Sequence, residues 1–401
     1  MSASTTQTMV RAGARWTPAL VALVFLVALN LRPALTSVGP LLPQIGTEEG
    51  LRGGVLGLLG ALPLLTFAVI STVVHRFSRA LGPERVVLFA LLLLVAGILI
   101  RSYTDNVGLW IGTLVIGAAI AIGNVLVPAI VKRDYSSKVS RATSIYSACM
   151  ATGASVASAI AVPLSGAAGW RGSLAFWAIP ALIVALLWIP RARTREQVVE
   201  PAASDHHPAT SVWKQPVAWL VTAFMGLQSS TFYFMVTWLP TIEISTDISA
   251  GQAGVHLFLY QIVGIAAGLA IPRLMRRPNN QIAATVTASV PMLIGVLGMM
   301  FIPGLHAVWA VVAGMGTGAS LVVALSLIGL RGRTQHETTE LSGMAQSVGY
   351  LFASAGPIGA GYLAEGTGGW TIPLLLIALL ATAQIVVAIP AGRGRAKATV
   401  V

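Results

Sequence analysis

Long apolar runs alternate with short polar, basic stretches along the whole chain. The runs fall near residues 17–38, 53–75, 84–101, 107–131, 141–165, 171–190, 216–240, 251–272, 280–302, 305–329, 341–364 and 370–390. Each is long enough to cross a hydrocarbon core of about 30 Å at about 1.5 Å per residue. Backbone facing lipid must pair all its amides internally, so such runs are either helices or strands of a closed barrel. Barrel strands would alternate polar and apolar residues over roughly 10 positions. These runs are continuous, and the pattern predicts an all-α membrane protein of twelve transmembrane helices.

The polar stretches divide the runs into two sets of six. The longest, 191–215, carries Pro201, Pro208, His206 and His207 and reads as a flexible linker. This predicts one six-helix bundle over 1–190, the linker over 191–215, and a second bundle over 216–401. A short internal repeat relates the halves: Leu42-Pro43-Gln44-Ile45 returns as Leu239-Pro240-Thr241-Ile242 at an offset of 197. Parallel repeats of this kind place a site between two bundles near the middle of the membrane.

Composition agrees. Charged residues are 9% of the chain and hydrophobic ones 56%, with mean hydropathy +0.81, far from the roughly 25% charged of a soluble domain. The net charge of +12 does not indicate nucleic acid, because the basic residues sit in clusters between the runs. With the N-terminus inside, the cytoplasmic segments hold 21 Lys and Arg and the outer loops only Arg52, Arg101 and Arg171. That bias predicts both termini in the cytoplasm. Arg11 and Arg15 before the first run resemble a signal peptide, but no A-x-A site follows, so the run is read as a retained helix. Cys149 is the single cysteine, which leaves no intrachain disulfide or paired-cysteine site. The His206/His207 pair in a linker is too little to indicate a metal. No cofactor is expected. Paired intramembrane carboxylates and a Ser/His/Asp arrangement are absent from the pattern, which argues against an enzyme.

Several stretches carry a family resemblance. Asn30-Leu31-Arg32-Pro33-Ala34, Gly39-Pro40-Leu41-Leu42-Pro43, Ala61-Leu62-Pro63-Leu64-Leu65, Gly123-Asn124-Val125-Leu126-Val127-Pro128, Gly226-Leu227-Gln228 and Leu341-Ser342-Gly343-Met344-Ala345-Gln346 resemble the cyanate/2-nitroimidazole transporter family of the major facilitator superfamily. The resemblance spans both halves. It implies two six-helix bundles related by a pseudo-two-fold axis, alternating access, a monomer, and a place in the bacterial inner membrane. One departure is notable. The superfamily's loop between helices two and three usually carries an Asp within a G-x-x-x-D-R-x-G-R-like pattern. Here it reads His75-Arg76-Phe77-Ser78-Arg79-Ala80-Leu81-Gly82-Pro83-Glu84-Arg85; the Asp is missing, with Glu84 as its possible substitute.

Arg32 is the sharpest chemical signal. It lies inside the first run, and a charge at depth costs on the order of 3 kcal/mol even on lenient insertion scales. All 13 Asp and Glu fall in loops or at span ends, so Arg32 has no evident intramembrane carboxylate. A guanidinium facing a cavity would receive a small anion through two parallel donors. The alternative is a structural Arg32 that snorkels outward or caps carbonyls freed by Pro33. Asn30 points to the opposite face and suits interhelical hydrogen bonding. Thr36 shares the Arg32 face. Under the 197-residue offset Arg32 maps to Ser229, so Arg32 is expected to face Gln228 and Ser229 across the cleft.

Gln228, Gln261 and Gln346 are candidate polar clamps, with Phe232, Tyr233 and Tyr350 as apolar walls. Gln261 shares a face with Gly264 and Gly268 and reads equally well as a packing seam. Ser342, Gln346 and Tyr350 form an i, i+4, i+8 stripe, facing either substrate or the other half. Tyr146 occupies a roughly equivalent place in the first half. Asn124 with Pro128 supports either a bend or the site. His256, inside a span, is a candidate proton carrier or a packed core residue. Three mechanisms remain open: facilitated diffusion, anion exchange at Arg32, and cotransport in which His256 or the substrate carries a proton. The favoured substrate is a small anion or weak acid; the alternative is export of neutral heteroaromatic drugs such as nitroimidazoles.

Overall fold

A computed structural model describes residues 17–71, 73–135, 138–193, 211–275, 280–332 and 335–393. Most of the 191–215 stretch, with His206 and His207, and the basic Arg11 and Arg15 lie outside them.

The first span is composite: α1 (Pro18–Asn30), α2 (Pro33–Thr36), a 3-10 turn (Gly39–Leu41) and α3 (Leu42–Glu49). There follow α4 (Gly53–Ile70), α5 (Val74–Leu81), α6 (Pro83–Tyr103), α7 (Asn106–Asp134), α8 (Val139–Ala175) and α9 (Ala178–Arg193). The second half holds α10 (Pro216–Ile244), α11 (Ala250–Ala270), α12 (Ile282–Phe301), α13 (His306–Arg331), α14 (Gln335–Thr367) and α15 (Thr371–Gly392). Local chemistry sets several boundaries. Thr17 caps α1 ahead of Pro18, Asp105 caps α7 through the Gly108 N–H, and Ser249 with Gln252 forms a capping box on α11.

Nine stretches among the described residues are long and apolar enough to cross a membrane. One of them, Arg141–Arg193, doubles back at Gly169, whose φ of 67° an L side chain would resist, and so makes two passes. α10 and α14 span as well but are too polar to register by hydropathy. They carry Gln228, Ser229, Ser230 and Thr231, and Ser342, Gln346 and Ser347, along faces turned inward. Twelve passes result, in two bundles of six. An even number leaves residues 17 and 393 at one face, called here the terminal face; the other is the distal face.

The apolar core shows how the bundles meet. Toward the distal face one continuous cluster draws from both: Leu41, Leu42 and Ile45 pack with Phe234, Trp238 and Leu239. Elsewhere the core divides, with one cluster dominated by the first bundle around Val127 and Trp188 and a separate one in the second around Phe224 and Leu327. Close backbone approaches tell the same story. A Cβ on Gly39 would run into the Val236 carbonyl, and one on Gly57 into the Pro357 carbonyl. Both contacts cross from one bundle to the other on the distal side of Arg32, so that side is shut.

Charges brace the first bundle at both ends. Distally, Arg171 holds Glu48 (3.1 Å) and Glu49, and Trp170 donates to Glu48 at 2.8 Å. At the terminal face Glu84, at the start of α6, accepts Arg133 at 2.6 Å, and Arg191 pairs with Asp134. Glu84 therefore works within the first bundle, among α6, α7 and α9. Arg191 is fully buried in α9, which extends to Arg193.

Candidate functional site

The first span breaks where its sequence demands it. Pro33 has no N–H to return to Leu29, and Pro40 repeats the loss two turns later. Arg32 stands at the break, ahead of α2, with φ −118° and ψ −32°. The tightened turn sends the Val38 N–H to Leu35 O and leaves Ala34 O without its usual i+4 donor. Arg101 reaches in from the last turn of α6 and donates Nη1 to Ala34 O at 2.7 Å. The sequence pattern places Arg101 in an outer loop. The structure instead leaves it 1% exposed and packed against the broken span, so the distal loops keep only Arg52 and Arg171.

The break turns Arg32 toward the second bundle. Its Nη1 donates to the Tyr233 hydroxyl at 3.0 Å. Among the described residues Arg32 forms no ion pair. Beside it a small cavity encloses about 20 Å³ open to the centre of a water molecule, room for about one water. Arg32, Thr36, Pro63, Phe232, Tyr233 and Thr237 line it, so both bundles contribute. Thr36 faces the space but donates its hydroxyl to Ala154 O at 3.0 Å. Tyr146 and Tyr350 lie within electrostatic reach of Arg32. Tyr350 also meets Phe67 and Tyr233 edge to face, at 6.0 and 6.4 Å between ring centres. Phe232 is edge-on to Tyr233 at 4.9 Å and stacked on Tyr260 at 6.4 Å. Of these rings Phe232 and Tyr233 line the cavity; Tyr146 and Tyr350 do not.

The other candidates are placed elsewhere. Gln228 does not face Arg32: its amide donates to Ser229 Oγ at 2.6 Å and contacts Met225 Sδ at 3.4 Å, along its own helix. The residue opposite Arg32 is Tyr233, one turn beyond Ser229 on the same face. Gln261 crosses between bundles and donates to Ser158 Oγ on α8 at 2.7 Å, while Gly264 and Gly268 pack closely on Gly318 of α13. Gln346 donates to Ser342 at 2.9 Å, within the stripe. Asn124 Oδ1 is buried without a partner among the described residues, and its residue does not line the cavity. Asn30 bonds back to Leu26 O at 2.8 Å, within its own helix rather than to a neighbour. His256 Nδ1 meets Glu243 Oε2 at 2.8 Å, a carboxylate that the sequence places at a span end and the structure buries to 1% exposure. Thr237 and Glu243 are the residues of interest that pattern reading missed.

Comparison with known proteins places this architecture. Residues 20–357 match the Major Facilitator Superfamily. The 2-nitroimidazole transporter of Escherichia coli (strain K12) is 37% identical over 377 residues, covering 94% of this chain and 96% of that one. The cyanate transport protein CynX of the same organism is 28% identical over 375 residues, covering 92% and 96%. A bacterial homolog of the human lysosomal transporter Spinster, solved inward-facing and unoccupied, superposes with a TM-score of 0.77 at 15% identity, covering 96% of this chain and all of that one. The last likeness concerns fold alone. Taken together, the twelve-helix fold and the full-length relatives make this chain a membrane transporter that belongs to the major facilitator superfamily, in its cyanate/2-nitroimidazole family.

Proposed function

We propose that the protein carries a small anion or weak acid across the bacterial inner membrane by alternating access, with Arg32 as the charge partner. The observation that carries this reading is Arg32 itself, a guanidinium at a helix break between the bundles, bonded to a neutral phenol and to no carboxylate among the described residues. A cation at depth without a counter-charge is costly. A bound anion would repay that cost through charge-assisted, bidentate hydrogen bonds. Tyr233 holds the guanidinium in place, and Phe232 beside it supplies a flat wall. The relative named for cyanate supports an anion of this size. The bias of Lys and Arg toward the terminal face, strengthened now that Arg101 is internal, supports cytoplasmic termini.

A second reading is export of neutral heteroaromatic compounds. The rings of Phe232 and Tyr233 at the cavity favour it, as does the relative named for 2-nitroimidazole. The two readings separate in a thermal-shift screen of the purified protein with cyanate and with 2-nitroimidazole, on wild type and Arg32→Gln. A ligand that binds the folded state alone raises the midpoint. Stabilisation of wild type by cyanate that disappears in Arg32→Gln supports the anion site. Equal stabilisation of both proteins by 2-nitroimidazole, with none by cyanate, makes Arg32 structural and the second reading the better one.

A further inference from the structure

Six residues beyond cavity-lining Thr237, at the distal end of the second bundle, a carboxylate and an imidazole are buried together. Glu243 lies in the last turn of α10 and His256 in the second turn of α11; their side chains are 1% and 15% exposed. Glu243 Oε2 meets His256 Nδ1 at 2.8 Å, and Glu243 Oε1 is buried with no hydrogen-bond partner among the described residues. No Lys or Arg pairs with Glu243 among the described residues. The ionisable groups on neighbouring elements are few. His306, at the start of α13, contacts Thr246 Oγ1 at 3.4 Å. Asp247 lies in the turn after α10. Glu48 and Glu49 on α3 are held by Arg171, and Glu365 on α14 lies against Gly53. α12 and α15 carry no charged residue at all.

We propose that Glu243 and His256 form a proton-binding site whose occupancy is linked to closure of the distal face. Holding one proton between them, carboxylate and imidazole carry no net charge. Without it they leave a buried negative charge with one oxygen unsolvated, which the interior disfavours strongly. The two groups exchange the proton as a unit. Both helices are also closure elements. α10 brings the Val236 carbonyl against Gly39, two turns before Glu243, and α11 brings Gly254 against Ser158 O, two residues before His256. Opening the distal face separates these contacts and admits water to the pair, where the charge is tolerated. Loss of the proton therefore favours the open state, and acid on the distal side favours the closed one.

The test is a distance across the distal face. Spin labels at Tyr103→Cys and Leu305→Cys, exposed positions on opposite bundles, are introduced into a Cys149→Ser background in lipid nanodiscs. Between roughly pH 5 and pH 8, the range in which histidine titrates, the open-to-closed ratio is expected to rise about tenfold by proton linkage. In Glu243→Gln, which mimics the protonated carboxyl, the closed distance should persist at both pH values; Glu243→Met serves if that variant fails to fold. His306 lies within electrostatic range of His256, so His306→Gln separates the two: a pH response that survives it supports the pair, and one that disappears assigns the response to His306 and overturns the proposal. An unchanged wild-type distribution across this range overturns the proposal, as does a Glu243→Gln protein that still opens with pH.

Discussion

Arg32 Nη1 and the Tyr233 hydroxyl lie 3.0 Å apart, joining the first helix of one bundle to the first helix of the other. Tyr233 is itself only 6% exposed, so the bond is shielded from bulk solvent. In the proposed transport cycle the two bundles shift around this point, and the guanidinium must keep its aim while they do.

Tyr233→Phe tests that aim. It preserves the ring against Phe232 and Tyr350 and removes only the hydroxyl. Hydrogen bonds to charged groups contribute about 1.5–3 kcal/mol, so under the proposed anion reading the binding of cyanate should weaken by roughly 10- to 100-fold. Equilibrium binding of cyanate to wild type and variant measures it. An unchanged affinity would mean that Arg32 needs no phenol to hold its place.

The terminal-face charge network makes a stability prediction. Arg191 is fully buried between Asp134 and Glu84, whose side chains are 3% and 4% exposed, while Arg133 is partly open to solvent. Removing the interior cation leaves two buried carboxylates sharing one outer partner. Arg191→Met should cost about 3–5 kcal/mol, the range for breaking one side of a buried ion pair. Arg133→Met should cost less. Chemical or thermal unfolding in detergent compares the two. Equal losses would show that burial does not set their ranking.

The bond from Gln261 to Ser158 Oγ predicts a kinetic effect. It is a buried amide-to-hydroxyl contact between α11 and α8, and so between bundles. Gln261→Leu removes it while keeping similar volume. A net hydrogen bond contributes roughly 1 kcal/mol, so the variant should open its distal face several-fold more often, as read from the distance distribution described above. No change would place Gln261 as a packing residue alone.

Much of this was legible in the sequence, for physical reasons that also mark where legibility ends. Hydropathy locates spans because lipid punishes polar surface, and Arg32 stands out for the same reason. The break at Pro33 is equally local. What the pattern could not supply is direction. The repeat aligns Arg32 with Ser229, but the break rotates the first span and the partner is Tyr233, one turn on. Gln228, Gln261 and Gln346 look alike as lone amides in apolar helices, yet their bonds run to the same helix, to the other bundle and along a polar stripe. Arg101 and Glu243 fall within a turn of a span end, where a charge is ordinarily solvated; only packing by neighbouring helices buries them.

The last prediction concerns Gly39. Its α-carbon passes so near the Val236 carbonyl that a methyl group there would overlap it, and both backbones are fixed by their own bundles. Small residues permit such approach between membrane helices. Gly39→Ala forces the two chains apart, at a cost typical of overpacking, about 1–3 kcal/mol. That penalty falls on the closed state alone, because opening the distal face separates Gly39 from Val236. A differential of this size moves a two-state equilibrium about 5- to 150-fold. The readout is modification of a cysteine at Thr237, which lines the cavity beside Gly60, in a Cys149→Ser background. Its rate with a bulky water-soluble thiol reagent should rise by that factor in Gly39→Ala. A rate equal to that of the parent would mean that the bundles yield locally and that the glycine contact does not govern closure.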